Sequence, residues 1–272
     1  MTVYPFLIHF GRFTVTGYGI MMMFAFLMAG WVYAREVERA GMDPAIAWDS
    51  VVFAVLGGLA GGKLYYAVLV GDLHELFSRG GLVWYGGFTG GAVAVFAYMW
   101  WKRLPYRRLL DLISPALAAG YMIGRVGCFL VNDDYGRPTG MPWGMKFPRG
   151  SPPTTAGALE QQFHVTIPPG TPSDQVLAVH PTQLYEVALA FVIFWYLWRF
   201  RENRHAAGWL FGLYLVLTAA ARIFVELFRV KDDRFFGPFT LAQLLSLTVA
   251  VLGGWLMLTY RAPETTPSAT SP

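Results

Sequence analysis

Cysteine is almost absent from this sequence, and its histidines are few and scattered. Cys128 is the single cysteine, which excludes an internal disulfide framework and any metal site built from several cysteines. The histidines show no spacing typical of metal ligands, and they lie at His9, His74, His164, His180 and His205. We therefore expect neither a bound metal nor another cofactor.

Charged residues are also scarce. They make up 14% of the chain, against 55% hydrophobic residues, whereas soluble proteins are about one quarter charged. The net charge of +4 is not gathered into one long basic stripe, so a nucleic-acid partner is not expected. Because one membrane crossing needs about 20 apolar residues, the chain has room for several crossings.

The apolar runs predict an all-α membrane protein with about seven transmembrane helices. They lie at 16–34, 46–70, 82–101, 109–130, 182–199, 208–228 and 238–259. A stretch at 131–179 is rich in Pro, Gly and Thr and too polar to span, so we predict an extracytoplasmic head or lid there. Residues 1–261 then form a single transmembrane domain, and the Pro-, Ser- and Thr-rich tail at 262–272 is expected to be disordered.

Positive charge follows every second span. By the positive-inside rule these connections face the cytoplasm, which places the N-terminus outside and the C-terminus inside. The residues concerned are Arg35, Arg39, Lys102, Arg103, Arg107, Arg108, Arg199, Arg201, Arg204 and Arg261. The bias is incomplete, because Lys146, Arg149, Lys231 and Arg234 lie on the other side.

Glycine pairs at four-residue spacing recur in the second to fourth spans, and they indicate close helix packing. They include Gly57 with Gly61, Gly86 with Gly90, and Gly120 with Gly124. A nucleotide-phosphate loop is excluded because no Gly-Lys-Ser/Thr follows these glycines.

Ionisable residues inside apolar helices are costly and therefore indicate function. Arg125 lies about one turn before the end of the fourth span. Arg222, Glu226 and Arg229 fall on one helical stripe near the end of the sixth. Glu226 either neutralises Arg222 as a structural pair or orients the guanidinium groups for an anionic ligand such as phosphate.

Two further residues have competing interpretations. His180 begins the motif His180-Pro-Thr-Gln-Leu-Tyr-Glu186, and it is either a structural hydrogen-bonding residue or a catalytic base. Cys128 is either a small apolar side chain or a nucleophile whose thiol is activated by Arg125.

Four motifs in order resemble bacterial prolipoprotein diacylglyceryl transferases. They are Gly86-Gly87-x-x-Gly90-Gly91, Gly124-Arg125-x-Gly127 with the acidic turn that follows, His180-Pro-x-Gln-Leu-Tyr-Glu186, and Arg222-x-x-x-Glu226-x-x-Arg229. The resemblance runs from Tyr18-Gly19 to Arg229, so it covers almost the whole chain.

The resemblance implies a multi-pass enzyme of the bacterial cytoplasmic (inner) membrane. Its activity would be transfer of diacylglyceryl from phosphatidylglycerol to the lipobox cysteine of a prolipoprotein signal peptide, with release of glycerol phosphate. The implied phosphate-binding residues are Arg125 and Arg222. The implied substrate-binding residues are Tyr18, Tyr85, Gly86, Gly87, Arg137, Glu226 and Arg229.

The sequence departs from the family pattern at three places. Tyr85 replaces a histidine, Cys128 replaces an asparagine, and Val131-Asn132-Asp133 replaces Asn-Gly-Glu. Asp133 can supply the missing carboxylate with a shorter reach. The base that accepts the thiol proton stays open among Asp133, His180 and Glu226.

Two alternatives to this function remain. One is a divergent relative that transfers the lipid group to another acceptor. The other is a lipid-binding or transport membrane protein that uses the same buried charges, although no inverted repeat typical of transporters is visible.

Overall fold

The chain is mostly helical. The structure, a computed structural model, describes residues 1–10, 13–78, 81–202, 205–230, 234–236 and 239–259. Within them are eight α-helices: α1 (Gly17–Arg39), α2 (Ala45–Val70), α3 (Trp84–Trp101), α4 (Tyr106–Leu130), α5 (Ala156–Phe163), α6 (Thr182–Phe200), α7 (Trp209–Glu226) and α8 (Leu241–Thr259). Arg204, Lys231, Arg261 and the predicted tail at 262–272 lie outside the described residues.

Each predicted span coincides with one of the long helices to within about five residues at either end. Five of them, α1, α2, α4, α7 and α8, are long and apolar enough to cross a membrane. Large apolar side chains on α2, such as Leu59, Leu64 and Val68, are more than half exposed on the protein surface. Such a surface is unfavourable in water and favourable in hydrocarbon, so the fold is that of a multi-pass membrane protein.

Two short β-hairpins correct the prediction of an all-helical chain. In the first, β1 (Leu7–Phe10) pairs antiparallel with β2 (Phe13–Thr16), and Leu7 lies opposite Thr16. In the second, β3 (Arg234–Phe236) pairs with β4 (Phe239–Thr240). Both are shorter than a membrane crossing, so the long apolar runs of the sequence do not predict them.

One of two compact units consists of residues Gly30–Ile113. Here α2 and α3 pack through interleaved glycines, and a methyl group added to Gly90 would lie 2.8 Å from the Cα of Gly61. Gly86 packs against the backbone of Gly61 in the same way. The packing interpretation of these glycines is therefore confirmed, whereas a substrate-binding role for Gly86, Gly87 and the half-exposed Tyr85 stays a prediction.

The other unit consists of Met1–Ala29 together with Ser114–Pro272. Small residues on α4 let the first half of α1 approach closely, since a methyl group on Gly127 would lie 3.0 Å from Met21 and 3.3 Å from the Tyr18 ring. Tyr18 is therefore held against the end of α4, near Arg125. In the same unit, α4, α6 and α7 share an apolar core of Ala118, Ile193, Leu197, Leu210 and Leu213.

The polar stretch at 131–179 has an apolar core of its own. Tyr135, Phe147, Leu159 and Val179 are buried together with Val230. The first residues of the chain run along this segment, and the amide of Val3 donates to the carbonyl of Lys146 at 2.9 Å. The stretch is therefore a folded segment rather than an irregular loop, and we call it the head.

Adjacent glycines on α8 give a test of the helix packing. A methyl group on Gly253 would lie 2.6 Å from the carbonyl oxygen of Gly212 on α7, whereas one on Gly254 would meet nothing within 4 Å. We expect Gly253→Leu to lower the free energy of unfolding by about 1–3 kcal/mol or more, because a packed interface has no room for the side chain.

The matched control is Gly254→Leu, which should unfold in detergent at the temperature of the unaltered protein. Thermal unfolding followed by size-exclusion chromatography measures both variants. Equal losses in the two variants would show that α7 and α8 do not pack through Gly253.

Candidate functional site

Arg125 lies near the end of α4, with its guanidinium group among acidic and aromatic side chains. Its Nη1 is 3.0 Å from Asp134 Oδ2 and 3.2 Å from Glu186 Oε2. The guanidinium also stacks on the ring of Tyr121 at 5.0 Å, and the hydroxyl of Tyr121 donates to Glu186 at 2.9 Å. The cost of burying this cation is thus offset by two carboxylates and an aromatic face.

The turn after α4 brings Asp134 to Arg125. Asn132 and Asp134 both have positive φ, 59° and 60°, a conformation that Asn and Asp tolerate better than most residues. The carboxylate of Asp133 accepts the amide N–H of Asp134 at 2.7 Å, while Asp133 itself is exposed. The side chain of Asp134 is therefore the one that points toward the arginine.

The first residues of α6 hold this turn in place. The hydroxyl of Thr182 donates to the carbonyl oxygen of Asp134 at 2.6 Å, and the amide of Gln183 donates to that of Asp133 at 2.5 Å. Thr182 and Gln183 are fully buried. One turn further along α6, Glu186 reaches Arg125, so a single helix start positions both of its carboxylate partners.

The end of α7 supplies two more arginines. Glu226 Oε2 lies 2.5 Å from Arg222 Nη1 and 4.0 Å from Arg229 Nε. Arg229 Nη2 lies 2.7 Å from Asp134 Oδ1. Burial alone would lower the pKa of Arg229, but the negative charges of Asp134 and Glu186 together outweigh it and raise the pKa, so Arg229 stays charged.

These side chains form one continuous network, which we call the arginine cluster: Arg125, Asp134, Glu186, Arg222, Glu226 and Arg229. The contact between Arg222 Nη1 and Glu226 Oε2 is short, yet neither atom makes a hydrogen bond of good geometry within the described part of the chain. We regard it as an attraction between charges, which leaves N–H directions of Arg222 available for another oxygen anion.

His180 and Arg137 lie on irregular backbone segments beside the cluster. The amide of Gly136 donates to the carbonyl of His180, and the amide of Arg137 donates to that of Phe228, both at 2.8 Å. Nε of Arg137 donates to the carbonyl of Arg229 at 2.9 Å. Arg137 thus fixes the backbone that carries Arg229.

The ring of His180 faces Tyr185 rather than an arginine. Its Nδ1 is 3.0 Å from the hydroxyl of Tyr185, which also accepts a hydrogen bond from Trp143 Nε1 at 2.8 Å. The Tyr185 hydroxyl can donate its proton to Nδ1 of a neutral imidazole while it accepts the hydrogen bond from Trp143. These contacts join the head to α6, as expected for the structural interpretation of His180.

Acidification tests this contact. Burial lowers the pKa of His180 below its ordinary value of 6.5, so the unfolded chain takes up a proton first as the pH falls. The contribution of the buried His180 to stability is therefore fully present above about pH 6.5 and is lost as the pH falls through the lowered pKa. We expect His180→Gln to lose less thermal stability than the unaltered protein between about pH 7.5 and pH 5.

Unfolding temperatures at several pH values measure this difference. His164→Gln in the same head is the control and should keep the full acid sensitivity. If His180→Gln is as acid-sensitive as the unaltered protein, His180 does not carry this effect.

The structure brings together several residues that the sequence predicted and some that it did not assign. Arg125, Arg222, Glu226 and Arg229 meet in one network, with Tyr18 beside the end of α4. Asp134, Glu186 and Tyr121 were missed as site residues. The spacing from Tyr121 to Arg125 was the available signal for the aromatic contact, but nothing in the sequence distinguishes Asp134 from Asp133.

Three buried or half-buried guanidinium groups lie together at the ends of apolar helices, an arrangement suited to binding an anionic group. The family model for prolipoprotein diacylglyceryl transferase matches residues 5–259. The chain belongs to this family.

Individual relatives are similar along nearly their whole length. A protein named phosphatidylglycerol–prolipoprotein diacylglyceryl transferase from Nitratidesulfovibrio vulgaris strain Miyazaki F is 29% identical over 97% of both chains. Proteins of the same name from N. vulgaris strain Hildenborough and from Paraburkholderia phymatum are each 31% identical over 93% of this chain, covering 93% and 92% of their own length.

Proposed function

We propose that this protein transfers the diacylglyceryl group of phosphatidylglycerol to the lipobox cysteine thiol of prolipoprotein signal peptides. Membership of the family supports the reaction. The observation that carries it is the arginine cluster, in which Arg125 and Arg222 belong to different helices and are linked through Asp134, Arg229 and Glu226. A planar guanidinium offers the paired donors that bind phosphate oxygens.

The reaction requires one carbon–oxygen bond to be exchanged for a carbon–sulfur bond. The thiolate attacks the carbon of the diacylglyceryl group that is bonded to the phosphate oxygen, and the electron pair of the broken carbon–oxygen bond leaves with glycerol phosphate. Negative charge grows on the departing phosphate. Arg125 and Arg222 therefore stabilise the transition state more than they stabilise the bound lipid. Arg229 also binds this phosphate, and Glu226 supports the orientation of Arg222 and Arg229.

The thiol must lose its proton before or during the attack. Asp133 and His180 lie in the segments that flank the cluster, and either can accept this proton. Asp133 is exposed. His180 is neutral at pH 7 because burial lowers its pKa. Glu226 is the weaker candidate because it is engaged with Arg222.

The membrane arrangement is also proposed. We infer a single transmembrane domain over 1–261 with seven spans, formed by all the long helices, in the bacterial inner membrane. The basic residues after alternate spans support an external N-terminus and a cytoplasmic C-terminus. The folded head at 131–179 then lies outside, next to the arginine cluster, where a lipid can enter from the outer leaflet and a signal peptide from the membrane.

An assay with purified protein in detergent tests the function. We expect thioether-linked lipid on a lipobox peptide and release of glycerol phosphate in equal amounts when phosphatidylglycerol is supplied. The matched control peptide has serine in place of the cysteine and should give neither product.

The other outcomes identify the alternatives. Release of glycerol phosphate without a thiol acceptor would indicate a phospholipase. Turnover with small thiols but not with the peptide would indicate a different acceptor. Lipid binding without turnover would favour a lipid-binding or transport protein.

A further inference from the structure

The arginine cluster is electrically balanced without any substrate. The positive charges of Arg125, Arg222 and Arg229 are matched by the negative charges of Asp134, Glu186 and Glu226. An entering phosphate brings further negative charge into a site of low polarity, where an unmatched charge is costly. One carboxylate must therefore give up its contacts when phosphate binds.

The three carboxylates differ in their freedom to move. Glu186 and Glu226 project from helices, and each side chain is only 3% exposed. Asp134 lies on the turn after α4, and its side chain is 20% exposed. Asp134 is thus the carboxylate that can rotate toward water without disturbing a helix.

The contacts of Asp134 also resemble those of a phosphate group. Its Oδ2 is 3.0 Å from Arg125 and its Oδ1 is 2.7 Å from Arg229. One small anion thereby bridges two guanidinium groups through two oxygens. A phosphodiester likewise presents two oxygens that share one negative charge.

We propose that Asp134 is a displaceable counter-ion. It holds Arg125 and Arg229 in place in the unloaded site and yields its position to the phosphate of the donor lipid. Asp134 is a positioning residue, because it acts through the two arginines. The inference rests on the proposed function for the identity of the phosphate, but its own test does not need transfer activity.

Binding of glycerol phosphate and of inorganic phosphate to Asp134→Asn measures the competition directly. The asparagine keeps the size of the side chain and removes its charge. We expect both anions to bind about tenfold more tightly, because they no longer displace a carboxylate. Asp134→Glu restores the charge and should return the affinity toward that of the unaltered protein, and Asp174→Asn, an exposed residue of the same head, should leave it unchanged.

Affinity in Asp134→Asn that is equal to or lower than that of the unaltered protein would overturn the proposal. If this variant unfolds during purification, Asp134→Ser and Asp134→Asn are prepared with phosphate in the buffer. Recovery of folded protein by phosphate, and not by chloride of equal ionic strength, supports displacement, since a bound anion stabilises the folded state. Failure of phosphate to recover them shows instead that Asp134 is a fixed part of the structure.

The two proposals fail separately. An unaltered protein that transfers no lipid, combined with tighter phosphate binding in Asp134→Asn, contradicts the proposed function alone. Normal transfer by the unaltered protein, combined with unchanged phosphate binding in the variant, contradicts the role of Asp134 alone.

Discussion

Arg125→Gln should abolish lipid transfer to a lipobox peptide while leaving a folded protein. Arg125 contacts both Asp134 and Glu186 and stacks on Tyr121, so it stands at the centre of the cluster. Removing one donor from a preorganised anion site costs about 10²–10³ in rate. We expect a loss at least that large, measured as initial rates of thioether formation with saturating phosphatidylglycerol.

The nature of the side chain matters as well as its charge. Arg125→Lys should recover little of the rate, because a lysine ammonium cannot bridge two partners with planar paired donors. The matched control is Arg107→Gln, which makes the same change at the exposed first turn of α4 and should keep full activity. An active Arg125→Gln variant would remove Arg125 from the mechanism.

Arg222→Gln is expected to have a similarly large effect, and it decides between the two interpretations of the pair with Glu226. The ion pair at 2.5 Å is either a structural neutralisation or part of a phosphate site. In the single variant, the cation that remains paired with Glu226 is Arg229, whose Nε lies 4.0 Å from Glu226 Oε2. Either interpretation therefore predicts some loss of transfer and of stability. The free energy of unfolding falls by about 3–5 kcal/mol if Glu226 is left as an unpaired buried charge.

The double variant Arg222→Gln with Glu226→Gln separates them. If the pair is structural, removing both charges restores stability and transfer together. If Arg222 binds phosphate, the double variant recovers its unfolding temperature but not its rate. Arg199→Gln near the end of α6 is the matched control. Recovery of transfer in the double variant would contradict a phosphate-binding role for Arg222.

Two of the departures from the family pattern lie at the end of α4 and in the turn after it. The sequence suggested that Asp133 supplies the missing carboxylate. In the structure the positive φ of Asp134 turns its own side chain to Arg125 and Arg229, while the Asp133 carboxylate caps the amide of Asp134. Cys128 lies 3.8 Å from Arg125 through its Sγ, so it belongs to the surroundings of the site.

The fold could be predicted from the sequence where one strong pattern of residues determines an element. The apolar runs placed the long helices, because about 20 apolar residues are costly anywhere but in lipid. They missed β1–β2 and the core of the head, since short strands and a core assembled from Tyr135, Phe147 and Val230 depend on partners distant in the sequence.

The sequence by itself determined that this is a membrane protein, which helices carry arginines at their ends, and that four motifs resemble those of the diacylglyceryl transferases. The first two properties follow from composition and local spacing, and the third follows from the resemblance of the motifs to that family. Only the tertiary structure decided which carboxylate meets which arginine. The reason is geometric: Asp134 and Asp133 are chemically alike, and the direction of each side chain is set by the left-handed backbone at Asp134 and by the hydrogen bonds that Thr182 and Gln183 donate from a distant helix.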